Sequence, residues 1–211
     1  MLGDAPLSLR EFVMHEPLPV ATIQAAVFEF LRDRRDCAVF GSQSVNAYVS
    51  EQRSTEAIDI ESTRAEELAE ELRRFLSEKF YIAVRVRSVR GGIGFRVYQV
   101  RKPENRHLID VRPVSELSPV HIVDEVQIVA PHVAIANKVQ SIESRKGKPK
   151  ALTDARDLMH LLMTFPDLQT AEGPVRERLI ANGAGDEVLA AWDGWAARVL
   201  EPEDPDDEFD Y

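Results

Sequence analysis

The chain has 211 residues, a net charge of −10 and 44% hydrophobic residues. This length can bury a core without disulfides or a structural metal, and the composition is that of a globular protein. The single cysteine, Cys37, excludes an internal disulfide and lies in an apolar run, which predicts a buried, unreactive thiol. No signal peptide and no bilayer-spanning apolar run is visible, so we expect a cytoplasmic protein without a membrane partner.

The first half of the chain alternates predicted helices and strands. Apolar residues at helical spacing predict a helix over 19–32, and a short apolar run predicts a strand over 37–40. The next predicted elements are a helix over 44–50, a strand over 57–61 and an amphipathic helix over 63–79. Thr63 and Glu66 have the spacing of a capping box at the start of that last helix.

Three alternating strands follow, and then helices to the end of the chain. The strands are predicted at 82–89, 95–101 and 107–112, with short strands at 122–123 and 126–128. The predicted helices cover 132–144, 151–164, 174–181 and 186–200. Strands followed by a run of helices predict an α+β fold with a mixed sheet, flanking helices and a C-terminal helical region.

This order of elements predicts three segments. Residues 1–130 form an α/β core, residues 131–200 a helical region, and residues 201–211 an acidic tail. The tail carries seven acids and no base, so we expect it to be disordered. It either solubilises the chain or mimics a nucleic acid by covering a basic surface.

Three carboxylates occur on predicted strands rather than in loops. Asp59 and Glu61 are two residues apart on one strand, so both side chains point to the same face. Asp110 lies between apolar neighbours on a later strand, where a carboxylate is costly without a partner or a cation. Acids that converge in this way predict a Mg²⁺ site suited to phosphoryl or nucleotidyl transfer.

A glycine–serine pair ends the first strand ahead of these acids. Gly41 permits close approach of the backbone, and the hydroxyl of Ser42 can bind a phosphate. Each element alone is common in proteins that bind no nucleotide. The full order of strand, Gly-Ser, helix, acidic strand and later Asp110 is much more specific.

These motifs resemble a known family. Gly41-Ser42-Gln43, the segment from Arg53 to Glu61, and the strand His107-Leu-Ile-Asp-Val look like the AbiEii-type nucleotidyltransferases of the polymerase-β-like superfamily. The resemblance covers residues 38–163 and implies the nucleotidyltransferase fold. Its helical part is similar at three positions, which implies that they contact the nucleotide: Lys138, Arg145 and Asp157.

The resemblance also implies a function. It is Mg²⁺-dependent transfer of a nucleoside monophosphate from a nucleoside triphosphate to an RNA, protein or small-molecule acceptor. Because bacterial members are often toxins of toxin–antitoxin systems, an antitoxin would then be a partner. In the other interpretation, the chain is a catalytically degenerate relative with a binding or regulatory role.

The choice between these functions depends on the register of the acidic motif. The family pattern T-x-D-x-D, counted from Thr55, puts its first acid at Ala57 and its second at Asp59. In that register one metal ligand is missing. In the other register, Asp59 and Glu61 form the pair, with Glu61 in place of the second aspartate. Thr153, where the family has arginine, is a second departure.

Residues 85–112 carry eight lysines and arginines against two acids. Such a segment can attract phosphates. It is equally typical of the solvent face of antiparallel strands, and the sequence leaves both interpretations open.

Overall fold

The computed structural model describes residues 18–89 and 91–201. From residue 202 onward, the predicted acidic tail lies outside the described residues. The chain divides into two compact units, with the boundary between Ala130 and Pro131.

The first unit contains seven strands and three helices among its described residues. The helices are α1 (Val20–Leu31), α2 (Gly41–Asn46) and α3 (Ala65–Phe80). The strands are β1 (Cys37–Phe40), β2 (Ile58–Ser62), β3 (Val84–Val89), β4 (Gly94–Gln99), β5 (Arg106–Pro113), β6 (Val120–Val123) and β7 (Val126–Val129).

All seven strands belong to one mixed sheet, in the order β3-β4-β5-β2-β1-β7-β6. β2 pairs in parallel with β5, and β1 with β7, whereas the other neighbours are antiparallel. The predicted α+β class with a mixed sheet and flanking helices is therefore confirmed.

The two faces of the sheet differ in chemistry because side chains alternate along each strand. On one face, Ile60 and Val111 belong to the apolar core that α1 and α3 complete with Val27, Leu68 and Leu72. We call the other side the polar face. It carries these charged residues of β2, β4 and β5: Asp59, Glu61, Arg96, Asp110 and Arg112.

The predicted second helix is shifted in the structure. It was expected over 44–50, but α2 begins at Gly41, directly after β1. Gly41 has a φ of 71°, which lets the chain turn sharply from strand to helix. The helix ends at Asn46, whose side-chain Nδ2 donates to the carbonyl of Arg53.

The start of α3 also differs from its prediction. The helix begins at Ala65 with Arg64 as its N-cap residue, and no side chain caps it. The hydroxyl of Ser62 instead accepts a hydrogen bond from the Arg64 amide at 3.0 Å. The proposed box of Thr63 and Glu66 is wrong because the chain enters the helix one residue later.

The second unit is helical in its described part. It contains α4 (Pro131–Ser144), α5 (Pro149–Thr164), a 3₁₀ turn (Pro166–Leu168), α6 (Pro174–Ala181) and α7 (Asp186–Ala196). α4 packs against α5, α6 and α7. Within the described residues, no helix is both long enough and apolar enough to cross a bilayer.

Candidate functional site

The structure brings two of the predicted carboxylates together on the polar face. Asp59 on β2 lies directly opposite Asp110 on β5 in the parallel register. Paired residues on neighbouring strands project to the same side of a sheet, so both carboxylates face outward from the helix-covered core. Both side chains are half-buried.

The turn after β1 lies directly against Asp59. A β-carbon added to Gly41 would lie 2.3 Å from Oδ2 of Asp59, far closer than two such atoms can approach. Gly41 is therefore required twice, for its positive φ and for the space beside the carboxylate. Ser42 is the next residue in the chain and begins α2 together with Gly41.

The guanidinium of Arg53 lies next to Ser42. In the sequence, Arg53 stands out only as part of the family motif. Nη2 of Arg53 donates to Oγ of Ser42 at 2.6 Å. The backbone of Arg53 is held by Asn46, whose Nδ2 donates to its carbonyl and whose Oδ1 accepts from its amide. Sequence reasoning missed this residue because the loop length alone does not show where its guanidinium points.

Buried polar contacts hold the same loop from the other side. Nε2 of Gln43 donates to Oγ1 of Thr55 at 2.6 Å, and Nε2 of Gln24 donates to the Thr55 carbonyl at 2.9 Å. All three side chains are buried. The loop that carries Arg53 is thus fixed to α1 and α2.

Glu61 shares the polar face but has separate partners. It is 1% exposed. Its Oε2 accepts from Nη2 of Arg112 at 2.8 Å, and its Oε1 accepts from the Ser118 amide at 2.7 Å. The Arg112 guanidinium also lies 4.2 Å from the centre of the Phe40 ring. A cation at Glu61 would have to compete with both hydrogen bonds.

Asp110 lies between two basic side chains. Nε of Arg96 donates to its Oδ1 at 2.9 Å, and Nε2 of His107 lies 3.1 Å from the same oxygen. Burial raises the pKa of Asp110, but His107 and Arg96 outweigh burial and hold the pKa below its usual value. The carboxylate is therefore ionised at neutral pH.

Ala57 lies two residues before Asp59, toward Gly41, where the family pattern would place another acid. Its methyl group offers no ligand. Within the part of the chain that the structure describes, no group of three or more histidine, cysteine, aspartate or glutamate side chains is arranged to hold a metal ion. The carboxylates brought together are Asp59 and Asp110.

The predicted nucleotide contacts in the second unit form a buried network of their own. Lys138 is 5% exposed, and its Nζ donates to Asp154 at 2.9 Å and to Asp157 at 2.6 Å. Arg145 also donates to Asp154. These contacts join α4 to α5 within the unit.

A groove on the helix-covered side of the first unit has the wrong charge for a phosphate. It is formed by α3, β3 and β4, and four glutamates outnumber two arginines in its lining: Glu66, Glu67, Glu70 and Glu71 against Arg64 and Arg74. Acids in such number repel an anionic ligand. The polar face is therefore the better candidate site.

The sequence matches no protein-family profile and no curated protein. Solved structures do resemble it. JHP933 from Helicobacter pylori has a TM-score of 0.57 at 12% identity, over 90% of this chain and 92% of its own. A candidate nucleotidyltransferase from H. pylori has a TM-score of 0.57 at 13% identity, over 90% and 94%.

A third similar structure is the polyadenylate synthase of Megavirus, with a TM-score of 0.54 at 14% identity. The match covers 75% of this chain but only 36% of the synthase, so the chain spans about a third of that enzyme. At these identities the likeness concerns the fold. The seven-stranded mixed sheet with its flanking helices is the fold of nucleotidyltransferases.

Proposed function

We propose that this protein is a nucleotidyltransferase. It moves a nucleoside monophosphate from a nucleoside triphosphate to an acceptor hydroxyl, and pyrophosphate leaves. The observation that supports this proposal most is the contact of the Gly41 turn with Asp59, whose carboxylate lies opposite that of Asp110.

Each residue of the site has a part in this proposal. Ser42 and Arg53 bind phosphate oxygens, because a hydroxyl donor and a guanidinium lie together in a preformed arrangement. The glycine backbone lets the phosphates approach Asp59 closely. Asp110 orients the acceptor hydroxyl and accepts its proton, with His107 and Arg96 holding the carboxylate in place.

The carboxylate pair fits a magnesium ion. Mg²⁺ prefers oxygen ligands and takes one or two protein carboxylates together with substrate phosphates. Asp59 and Asp110 would supply two such carboxylates from paired positions, and at Asp110 the ion would compete with Arg96 and His107. When bound, the ion would neutralise phosphate charge and activate the acceptor hydroxyl.

Glu61 has a different role in this proposal from the metal ligation expected from the sequence. Its carboxylate anchors Arg112 and the Ser118 amide, so it shapes the polar face beside the site. Likewise we assign Lys138, Arg145 and Asp157 to the stability of the second unit, because Lys138 is almost fully buried among acids.

Calorimetric titration with Mg²⁺ and a nonhydrolysable nucleoside triphosphate tests the proposal. We expect the natural protein to bind, and Asp59→Asn to lose most of the Mg²⁺-dependent affinity because it removes charge but keeps shape. Glu70→Gln, an exposed helix position, is the matched control and should bind normally. Equal binding by the natural protein and by Asp59→Asn would contradict the proposal.

A second function is favoured by Ala57 and by the engagement of Glu61. Because no metal-binding group of three or more histidine, cysteine, aspartate or glutamate side chains occurs among residues 18–89 and 91–201, the chain could bind nucleotide without transferring it, as a degenerate relative with a regulatory role. Pyrophosphate release separates the two functions. Binding without release by the natural protein, with release gained in Ala57→Asp, would establish the second.

The resemblance to AbiEii-type proteins extends the proposal to a toxin that a separate antitoxin protein neutralises. Induced expression in a bacterial host tests this role. A toxin arrests growth, and Asp59→Asn relieves the arrest. Normal growth at high expression of the natural protein would rule out the toxin role without touching the transferase assignment.

A further inference from the structure

Three arginines on the polar face extend the line of the carboxylate pair toward the edge of the sheet. Arg87 on β3 lies opposite Arg96 on β4, and Arg96 lies opposite Asp110 on β5. Arg85, two residues before Arg87, lies opposite Tyr98. We call Arg85, Arg87 and Arg96 the arginine row.

The charges of the arginine row are poorly compensated among residues 18–89 and 91–201. Arg96 is paired with Asp110, but Arg85 and Arg87 make no ion pair with any residue in 18–89 or 91–201. Like charges directly opposite each other on neighbouring strands are destabilising. All three side chains are exposed, so an anion from solution can reach both Arg87 and Arg96.

We propose that the arginine row binds the sugar–phosphate backbone of a single-stranded nucleic acid, whose terminal hydroxyl reaches Asp110 as the acceptor. The acceptor role rests on the proposed nucleotidyl transfer, whereas backbone binding by the arginines does not.

The spacing of the row favours a polymer over a small acceptor. Neighbouring strands are about 4.8 Å apart, so Arg87 stands roughly 10 Å from Asp110, and Arg85 lies about 7 Å further along β3. A ligand that contacts Asp110 and all three arginines must therefore span more than about 10 Å. A chain with a phosphate at every unit does.

An aromatic ring beside the arginine row favours a single strand over a duplex. Tyr98 lies opposite Arg85, two residues after Arg96 on the same face, and is half-buried. Arginines interleaved with an aromatic ring are typical of single-strand binding, in which unpaired bases stack on the ring. The net charge of −10 disfavours nonspecific binding of nucleic acid to the chain.

Fluorescence anisotropy with a labelled single-stranded oligoribonucleotide of about 12 nucleotides, at several salt concentrations, tests the proposal. The double variant Arg85→Ala/Arg87→Ala should bind at least tenfold more weakly. Its log-affinity against log-salt slope should fall by about 1.4, since each single-strand phosphate contact contributes about 0.7. Its thermal midpoint should not fall, because two like charges without an ion pair among residues 18–89 and 91–201 are removed.

Arg73→Ala/Arg74→Ala is the charge-matched control. These arginines lie on α3, whose buried face packs on the other side of the sheet. The control should bind the oligoribonucleotide as the natural protein does. Equal weakening in both doubles would show a general charge effect and overturn the proposal.

Two further binding measurements test the class of ligand. A duplex of the same sequence and vesicles of anionic phospholipid should both bind more weakly than the single strand, and tighter binding of either would overturn the proposal. Binding of magnesium–nucleotide without any oligoribonucleotide binding overturns this inference alone. Oligoribonucleotide binding without any nucleotide binding overturns the proposed transfer and the acceptor role, and supports backbone binding by the row.

Discussion

At the scale of single residues, Gly41 and Asp59 define the site. No other residue can occupy position 41 without moving the Asp59 carboxylate, because an added β-carbon would lie 2.3 Å from its Oδ2. Gly41→Ala should therefore destabilise the protein by about 2–4 kcal/mol, from backbone strain and steric overlap together. Urea denaturation measures this change.

Gly91→Ala is the matched control for Gly41→Ala. Gly91 has a φ of 68°, against 71° at Gly41, but an added β-carbon would meet nothing within 4 Å. Gly91→Ala should therefore lower the free energy of unfolding by about 1 kcal/mol, from backbone strain alone. Equal destabilisation by the two substitutions would show that Asp59 does not restrict the residue at position 41.

Asp110 makes stability depend on pH. Its pKa is lowered in the folded protein, where His107 and Arg96 outweigh the effect of burial. The ionised carboxylate therefore stabilises the fold above about pH 4, and this contribution is lost as pH falls through the lowered pKa. In Asp110→Asn, urea midpoints should decline less between pH 5 and pH 2 than in the natural protein. Parallel declines would contradict the assignment.

The Cys37 thiol should be unreactive in the folded protein. It is buried, and burial raises its pKa to about 12. Alkylation by iodoacetamide at about pH 8 requires the thiolate, so modification should follow only global unfolding. Rapid modification under native conditions, followed by mass spectrometry, would show that β1 opens locally.

At the scale of elements, the packing of α4 against α5 depends on the buried network of Lys138, Asp154 and Asp157. Lys138→Met removes the cation and leaves two buried carboxylates without it, which should cost about 3–5 kcal/mol in urea denaturation. Lys146→Met, at a residue whose side chain is 76% exposed, should change stability little. If Lys138→Met keeps its stability but loses nucleotide binding, this result would support the role of Lys138 as a nucleotide contact, as expected from the sequence.

Strands and helices with strong local patterns were predictable. The strand 37–40 and the helix 174–181 have their predicted bounds, because an apolar run and a proline at the first helical position mark them locally. The start of α2 was not predictable from a local pattern, because it involves the packing of Gly41 against Asp59, which is distant in sequence.

The candidate site was predictable only in part, for the same reason. The pattern indicated that Asp59 and Glu61 share a face, which alternation along a strand requires. It could not show that Arg112 and Ser118, more than 50 residues later, engage the oxygens of Glu61. Nor could it show that Arg53 reaches Ser42, since a loop has no periodicity from which to infer direction.

At the scale of the whole molecule, the distribution of charges over the sheet gives a protein of net negative charge a surface that can bind anionic ligands. The strand order places β2 and β5 side by side near the centre, and β4 and β3 continue the same face to the edge. Acids therefore occupy the middle of this face and arginines its rim, so the arginines would attract a phosphate chain, and a cation at Asp59 and Asp110 would offset the repulsion between these acids and a phosphate.

The most direct measurement is transfer of label from a nucleoside triphosphate labelled at its α-phosphate, with pyrophosphate release followed in parallel. Each of the four nucleotides is supplied with Mg²⁺ and a pool of cellular RNA and protein acceptors. The account predicts that the natural protein incorporates label and releases pyrophosphate, and that Asp59→Asn does neither. Incorporation by neither protein, or equally by both, would contradict it.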